Sequence, residues 1–434
     1  MKIYLAPMEG VTSVTYRTVY KRHFQGVDLF FTPFMVATHT HSFQGRERRE
    51  TEPFQADTVP QLMTKDASVL LPALLQMAQL GYERVDLNLG CPAPTAVTKG
   101  RGSGMLKDPD ALDRFFDTVF SHMLSREKMH SFLEEQRASD PYFPNYADAA
   151  FAFLNSEELR LPDLSVKTRV GLSSHIETPA LAKVLARYPF REIIVHPRVR
   201  EEYYSGEPNW DSYQCIKESV SVPMCYNGDL RTVEDVERLL DRFPDTDRIM
   251  LGRGILADPS LPRQIHKWVQ EKDAMHTGNV ALPSYRNTSL SDASLSDVSR
   301  MNPSLSDASL SEASLPDVSR SNPFRSDAFL PDVSLPDSSL PELSAGSLSS
   351  GKMSLQELTF FLEDLKDSYR QVLSGDRDTL FKLIDVWSYL GTQFPGHDKE
   401  LKAIRRSKTL KEYEAGVAGI LPFFCPEQSS SGLR

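Results

Sequence analysis

The sequence predicts an α/β fold: a parallel (β/α)8 barrel of the TIM-barrel kind, followed by a small C-terminal helical domain. Three observations predict it. Eight short apolar runs recur in the first ~260 residues, a size typical of such a barrel. Amphipathic stretches lie between them. After a biased segment, apolar residues return at helical spacing from residue 354 onward.

The eight runs are 2–7 (KIYLAP), 27–33 (VDLFFTP), 58–63 (TVPQLM), 84–90 (RVDLNLG), 164–170 (LSVKTRV), 191–198 (REIIVHPR), 222–228 (VPMCYNG) and 247–253 (DRIMLGR). They are rich in β-branched and aromatic residues, as strands buried on both faces should be. Stretches such as 66–80, 108–121 and 232–243 carry the helical pattern between them. A doubly wound sheet is the alternative. It calls for fewer strands and a glycine-rich turn after the first one; here that strand ends Ala6-Pro7-Met8-Glu9-Gly10. These patterns bound a barrel domain at 1–275, interrupted by a long connection at 122–163 that reads as a partly helical insertion.

Residues 276–351 form a low-complexity linker. Within it, 289–348 repeat with a period of five (SLSDA SLSDV SRMNP and so on). Serine, proline and acidic residues dominate, so the segment is expected to be disordered for want of apolar surface to bury. A pentapeptide solenoid is the other reading, opposed by Pro316, Pro331, Pro336 and Pro341. Beyond it, 354–374, 377–393 and 397–416 read as three helices of a terminal domain at 352–424.

Composition narrows the function classes. Net charge is −10, which by itself does not suggest a nucleic-acid partner. Its distribution matters more: residues 289–351 hold nine acids and three bases, net −6, leaving −4 for the rest. Residues 399–411 hold six bases and one acid. Lys402, Arg405 and Arg406 are therefore candidate phosphate contacts. The four cysteines show neither metal spacing nor a disulfide framework, which fits a reducing cytoplasm. No apolar run reaches membrane-spanning length, and a soluble monomer is expected.

In a barrel of this kind the site lies at the C-terminal ends of the strands. Polar residues and glycines gather there: Pro7, Met8 and Glu9; Gln61; Asn88 and Cys91; Lys167; His196 and Arg198; Asn227, Gly228 and Asp229; Gly252 and Arg253. Taken singly, each has a plainer explanation. Lys167 can pair with a barrel carboxylate, His196 can be a satisfied core histidine, and Cys91 can be a small buried apolar residue. The glycines after strands seven and eight are more specific together. They bring backbone N–H groups toward an anion, and Arg253 adds charge-assisted donors. A phosphorylated cofactor is the natural occupant.

The motif Asp86-Leu87-Asn88-Leu89-Gly90-Cys91-Pro92 resembles that of the dihydrouridine synthase family. So do Ala6-Pro7-Met8-Glu9-Gly10, the stretch Lys99 to Pro109, Val166-Lys167-Thr168-Arg169, Tyr204-Ser205-Gly206, Tyr226-Asn227-Gly228-Asp229 and Gly252-Arg253-Gly254. The resemblance covers 1–121 and 164–260 and resumes over about 352–416. It implies an FMN-containing barrel that reduces the uracil C5–C6 bond in tRNA, with NADPH as reductant and Cys91 as proton donor to C5. By motif, Pro7, Met8, Glu9, Gln61, Lys167, His196, Asn227, Gly228, Asp229, Gly252 and Arg253 would surround FMN, Asn88 and Arg198 would meet the substrate, and Lys402, Arg405 and Arg406 would contact tRNA. The glycine-rich stretch 100–104 is expected to be a mobile loop that closes on the nucleotide. Pro197 departs from the family pattern and stiffens the strand-six end. Ribosomal RNA as substrate, a small-molecule FMN reductase and a non-catalytic RNA-binding scaffold remain as alternatives.

Overall fold

The computed structural model describes residues 1–277 and 351–425, which belong to one compact unit. The pentad repeat and the linker around it, and so the expectation of disorder there, lie outside the described residues.

All strands are parallel and form one sheet. We number them by barrel position: β1 (Lys2–Leu5), β2 (Leu29–Phe31 continued by Met35–Val36), β3 (Thr58–Val59 continued by Gln61–Met63), β4 (Arg84–Leu89), β5 (Asp163–Gly171), β6 (Ile193–Val199), β7 (Met224–Tyr226) and β8 (Arg248–Leu251). β8 pairs with β1 through Lys2↔Arg248 to Leu5↔Leu251. The first halves of β2 and β3 pair at Phe30↔Thr58, and their second halves at Met35↔Leu62. The sheet therefore closes on itself. The interruptions in β2 and β3 follow from Pro33 and Pro60, which have no N–H to give the ladder. Thr32 Oγ1 compensates by accepting the Gln61 N–H at 2.9 Å.

The barrel interior is filled near its base by Tyr4, Phe31, Val59, Ile194, Cys225 and Met250. Helices begin where capping residues predict. Asp66 accepts from Ser68 N–H before Ala67–Gln79, Asp108 from Ala111 N–H before Pro109–Met123, and Thr232 from Asp235 N–H before Val233–Arg242.

The connection at 122–163 is a helical hairpin, Arg126–Ser139 and Ala147–Asn155. Met129, Leu133, Phe143, Tyr146 and Phe153 pack onto Leu71 and Leu75. Leu70 and Leu74 of that helix face the main core instead. The helix Ala67–Gln79 is thus apolar on two sides and needs cover on both.

The C-terminal region has four helices rather than three: Leu355–Val372, Asp376–Leu390, Asp398–Arg405 and Leu410–Ile420. The expected 397–416 helix breaks because Thr409 caps a new one, its hydroxyl accepting the Glu412 N–H. Phe361 packs edge-on against Tyr16 of the first barrel helix, Val14–His23, and against its C-cap Phe24. Asp364 takes Arg22 and His23, and Glu357 takes Arg263. Lys382 donates to the Gly10 carbonyl at 2.6 Å, which brings the helix Asp376–Leu390 to the loop after β1.

Candidate functional site

A pocket with about 550 Å³ of empty space opens among the C-terminal ends of the strands. Nine of the expected residues line it: Pro7, Met8, Lys167, His196, Asn227, Gly228, Asp229, Gly252 and Arg253. Tyr204, Arg231 and Gly254 line it too and were not singled out as site residues from the sequence.

The wall built by the loops after β7 and β8 is held by close approach. A Cβ on Gly254 would stand 2.2 Å from the Leu230 carbonyl oxygen. One on Gly228 would meet Pro197 Cδ and the Tyr226 hydroxyl at 3.2 Å. Asn227 ties the two loops together, its Nδ2 donating to the Met250 carbonyl at 2.8 Å. Asp229 adopts a positive φ of 44°, unusual for a residue with a side chain, and receives both Arg198 (2.6 Å) and Arg253. Burial pushes the Asp229 carboxyl up, but the Arg198 hydrogen bond and the nearby Arg253 charge outweigh it and hold it below the usual range. Arg253 also covers the Tyr204 ring, 4.6 Å from its centre. Among the described residues Arg231 Nε is buried without a hydrogen-bond partner. An orphaned guanidinium N–H beside two glycine-bearing loops fits a phosphate.

The pocket floor is cationic. Lys167 on β5 has no ion pair among the described residues, and burial followed by the Arg169 charge lowers its ammonium to about 8. Burial and the charges of Arg169, Lys167, Arg198 and Arg253 hold His196 well below its ordinary value, so the imidazole is neutral. Arg198 Nη1 donates to His196 Nε2 at 3.2 Å, which leaves the ring proton on Nδ1.

Arg198, expected to meet the substrate, is fully buried and spends its donors on Ser205 and Gly206 carbonyls, His196 and Asp229, so it shapes the pocket. Arg169, buried beside it, ties the carbonyls of Gly90, Val199 and Tyr203 together. Its place in the Val166–Arg169 motif was the available signal. Glu9 also stands elsewhere than expected: it is exposed at the rim and paired with Arg46 at 2.9 Å. Gln61 is fully buried beneath the pocket, bonded to Asp86 and Asn88.

Cys91 follows β4. Its N–H donates to Asn88 Oδ1 at 2.9 Å, and its carbonyl accepts the Ser103 hydroxyl at 2.8 Å. Ser103 is fully buried in the 3-10 turn Gly102–Lys107. The stretch expected to be a mobile lid is therefore a packed support for Cys91. Burial pushes the Cys91 thiol up, against smaller opposing effects that include Arg169 and Lys167. The thiol keeps its proton at neutral pH. Asn88 is buried and its oxygen is committed to the Gly90 and Cys91 amides. Lys402, Arg405 and Arg406 are exposed on the C-terminal helices, outside this pocket.

The family model described as dihydrouridine synthase (Dus) matches residues 4–123 and 157–285. This chain belongs to the dihydrouridine synthase family. The unmatched stretch between the two segments coincides with the helical hairpin. Among individual proteins of this kind, a probable tRNA-dihydrouridine synthase of Rickettsia conorii is 27% identical over 64% of this chain and 73% of its own length. A tRNA-dihydrouridine(16) synthase of Aquipseudomonas alcaligenes is 29% identical, over 61% and 75%. A tRNA-dihydrouridine synthase B of Pseudomonas aeruginosa is 24% identical, over 67% and 75%. Among the described residues no helix is long and apolar enough to cross a membrane.

Proposed function

We propose that this chain reduces the C5–C6 double bond of specific uridines in tRNA, with FMN bound in the pocket, NADPH as reductant and Cys91 as proton donor to C5. The supporting observation is the pairing of a protonated, backbone-anchored thiol with a neighbouring cationic pocket whose Lys167 and Arg231 Nε have no hydrogen-bond or ion-pair partner among the described residues. Bound FMN would supply the hydride to C6.

The chain's own residues do the rest. Gly228, Asp229, Gly252, Arg253 and Arg231 would hold the phosphate. Lys167 would stand by the flavin ring and favour negative charge on it. Neutral His196 offers its Nδ1–H without adding another cation to the site. Pro7 and Met8 close the pocket from the β1 side. Cys91 holds its proton until the base is in place and then delivers it to C5. The target uridine must leave its stack to enter the barrel mouth. The exposed Lys402, Arg405 and Arg406 would take backbone phosphates of the tRNA. A cytoplasmic monomer fits this reading.

The purified protein should be yellow with a flavin spectrum. Cys91→Ala should retain FMN and lose turnover by about 10²-fold or more. Full activity in that variant would remove Cys91 from the acid role. Charge reversal at Arg405 and Arg406 should weaken tRNA binding about tenfold, with a shallower salt dependence and unchanged flavin content. Unchanged binding would reject the patch. Mapping dihydrouridine in total RNA from a deletion strain separates tRNA from ribosomal RNA as substrate.

A further inference from the structure

Four side chains from three strands form one hydrogen-bond chain beneath Cys91. Asp86 is fully buried at the middle of β4. Its Oδ2 accepts from Gln61 Nε2 at 2.7 Å, and its Oδ1 from the Ser165 hydroxyl at 3.0 Å. Gln61 Oε1 accepts from Asn88 Nδ2 at 2.8 Å. Asn88 Oδ1 accepts the N–H groups of Gly90 and Cys91 at 3.1 and 2.9 Å.

The direction of this chain is set by chemistry. A backbone N–H only donates, so Asn88 must turn its oxygen to Cys91 and its nitrogen to Gln61. Gln61 must then turn its oxygen to Asn88 and its nitrogen to whatever lies beyond. That group must be an acceptor. Asp86 is that acceptor; it feels the Lys167 charge but forms no ion pair among the described residues. We propose that Asp86 is the positioning residue for Cys91, acting through Gln61 and Asn88. The proposal rests on the reading of Cys91 as the acid.

Ser165 makes the arrangement tolerant of a proton. A proton on Asp86 Oδ1 can be given to the Ser165 oxygen, whose hydroxyl then turns to the Val85 carbonyl at 3.3 Å. Oδ2 remains an acceptor toward Gln61. Asn at position 86 reproduces this state, with its oxygen toward Gln61 and its nitrogen toward Ser165. Leu at 86 removes the acceptor and strands Gln61 Nε2. Both amides are then free to flip, and a flipped Asn88 turns a donor toward the Cys91 N–H.

The test uses the full-length, flavin-containing protein and the variants Asp86→Asn and Asp86→Leu. Iodoacetamide labelling is followed by peptide mass spectrometry, with partly exposed Cys215 and Cys425 as internal references. In Asp86→Leu the Cys91 rate should rise about fivefold or more while the references stay constant, and kcat on tRNA should fall about tenfold or more with KM within about threefold. Asp86→Asn should restore both. If Asp86→Leu does not fold, Gln61→Met breaks the same chain one link further on and should give the same two signatures. Wild-type Cys91 labelling in the Leu or Met variant, or an Asn variant as impaired as Leu, would overturn the proposal. Retained turnover in Cys91→Ala would instead sink the acid role, while the labelling still reports what holds Cys91.

Discussion

The pocket wall after β7 and β8 and the neighbouring wall at Cys91, which is not among the residues lining that pocket, are built by different means. The wall after β7 and β8 is made of backbone brought close by glycines and fixed by arginine–carboxylate pairs. The wall at Cys91 is held by side-chain amides, hydroxyls and the Asp86 carboxyl from three strands and a 3-10 turn. The first is suited to gripping a fixed anion, which needs charge and close N–H donors. The second is suited to holding a thiol that must keep its proton. Burial outweighs the lowering effect of the nearby Arg169 and Lys167 charges on the thiol. The proposed function divides along the same line: one wall to bind, the other to react.

One glycine in each wall can break this division. Gly254→Ala is expected to have the largest effect, because its Cβ would lie 2.2 Å from the Leu230 carbonyl oxygen and backbone must move. It should cost about 3 kcal/mol of stability and most of the bound flavin. Flavin absorbance and thermal unfolding measure both. Gly102→Ala comes next. Gly102 has a φ of +57°, and its Cβ would stand 3.0 Å from the Cys91 carbonyl oxygen. This variant should keep its flavin and lose turnover about 10²-fold through misplacement of Cys91. Loss of flavin from Gly102→Ala, or its full retention in Gly254→Ala, would show that the walls are not separable.

The contrast also explains what could be read from the chain alone. The binding wall was legible because its signal is local: Asn227-Gly228-Asp229 and Gly252-Arg253-Gly254 are contiguous and sit after apolar runs. The barrel was legible for the same reason, strand by strand. The supports of Cys91 were not, because Gln61, Asp86 and Ser103 meet it only once strands and turn are assembled. The partners of Arg198 were not legible either: an arginine at a strand end looks available until its acceptors, Ser205, Gly206 and Asp229, are seen. The hairpin at 126–155 could have been anticipated from Leu71 and Leu75, apolar positions on a helix face that the barrel leaves uncovered.

The smallest expected effect separates the walls by their response to pH. Burial pushes the Asp86 carboxyl up to about 7, against hydrogen bonds from Gln61 and Ser165. The Asp229 carboxyl is held below its usual range. A group whose pKa is raised by folding keeps a proton that the unfolded chain releases. Its contribution is full below the unfolded value near 4 and is lost as pH rises toward 7. Asp229 works in the other direction: its contribution is present above about 4 and is lost only as pH falls further. Between pH 4 and 7, then, the Asp86 contribution changes with pH and the Asp229 contribution does not. Urea unfolding at pH 5, 6 and 7 should show stability falling by up to about 1.4 kcal/mol per pH unit more in the wild type than in Asp86→Asn. Asp229→Asn should leave that slope intact. Equal slopes in the wild type and Asp86→Asn would mean that Asp86 is charged throughout, and the reacting wall would then hold a fixed anion as the binding wall does.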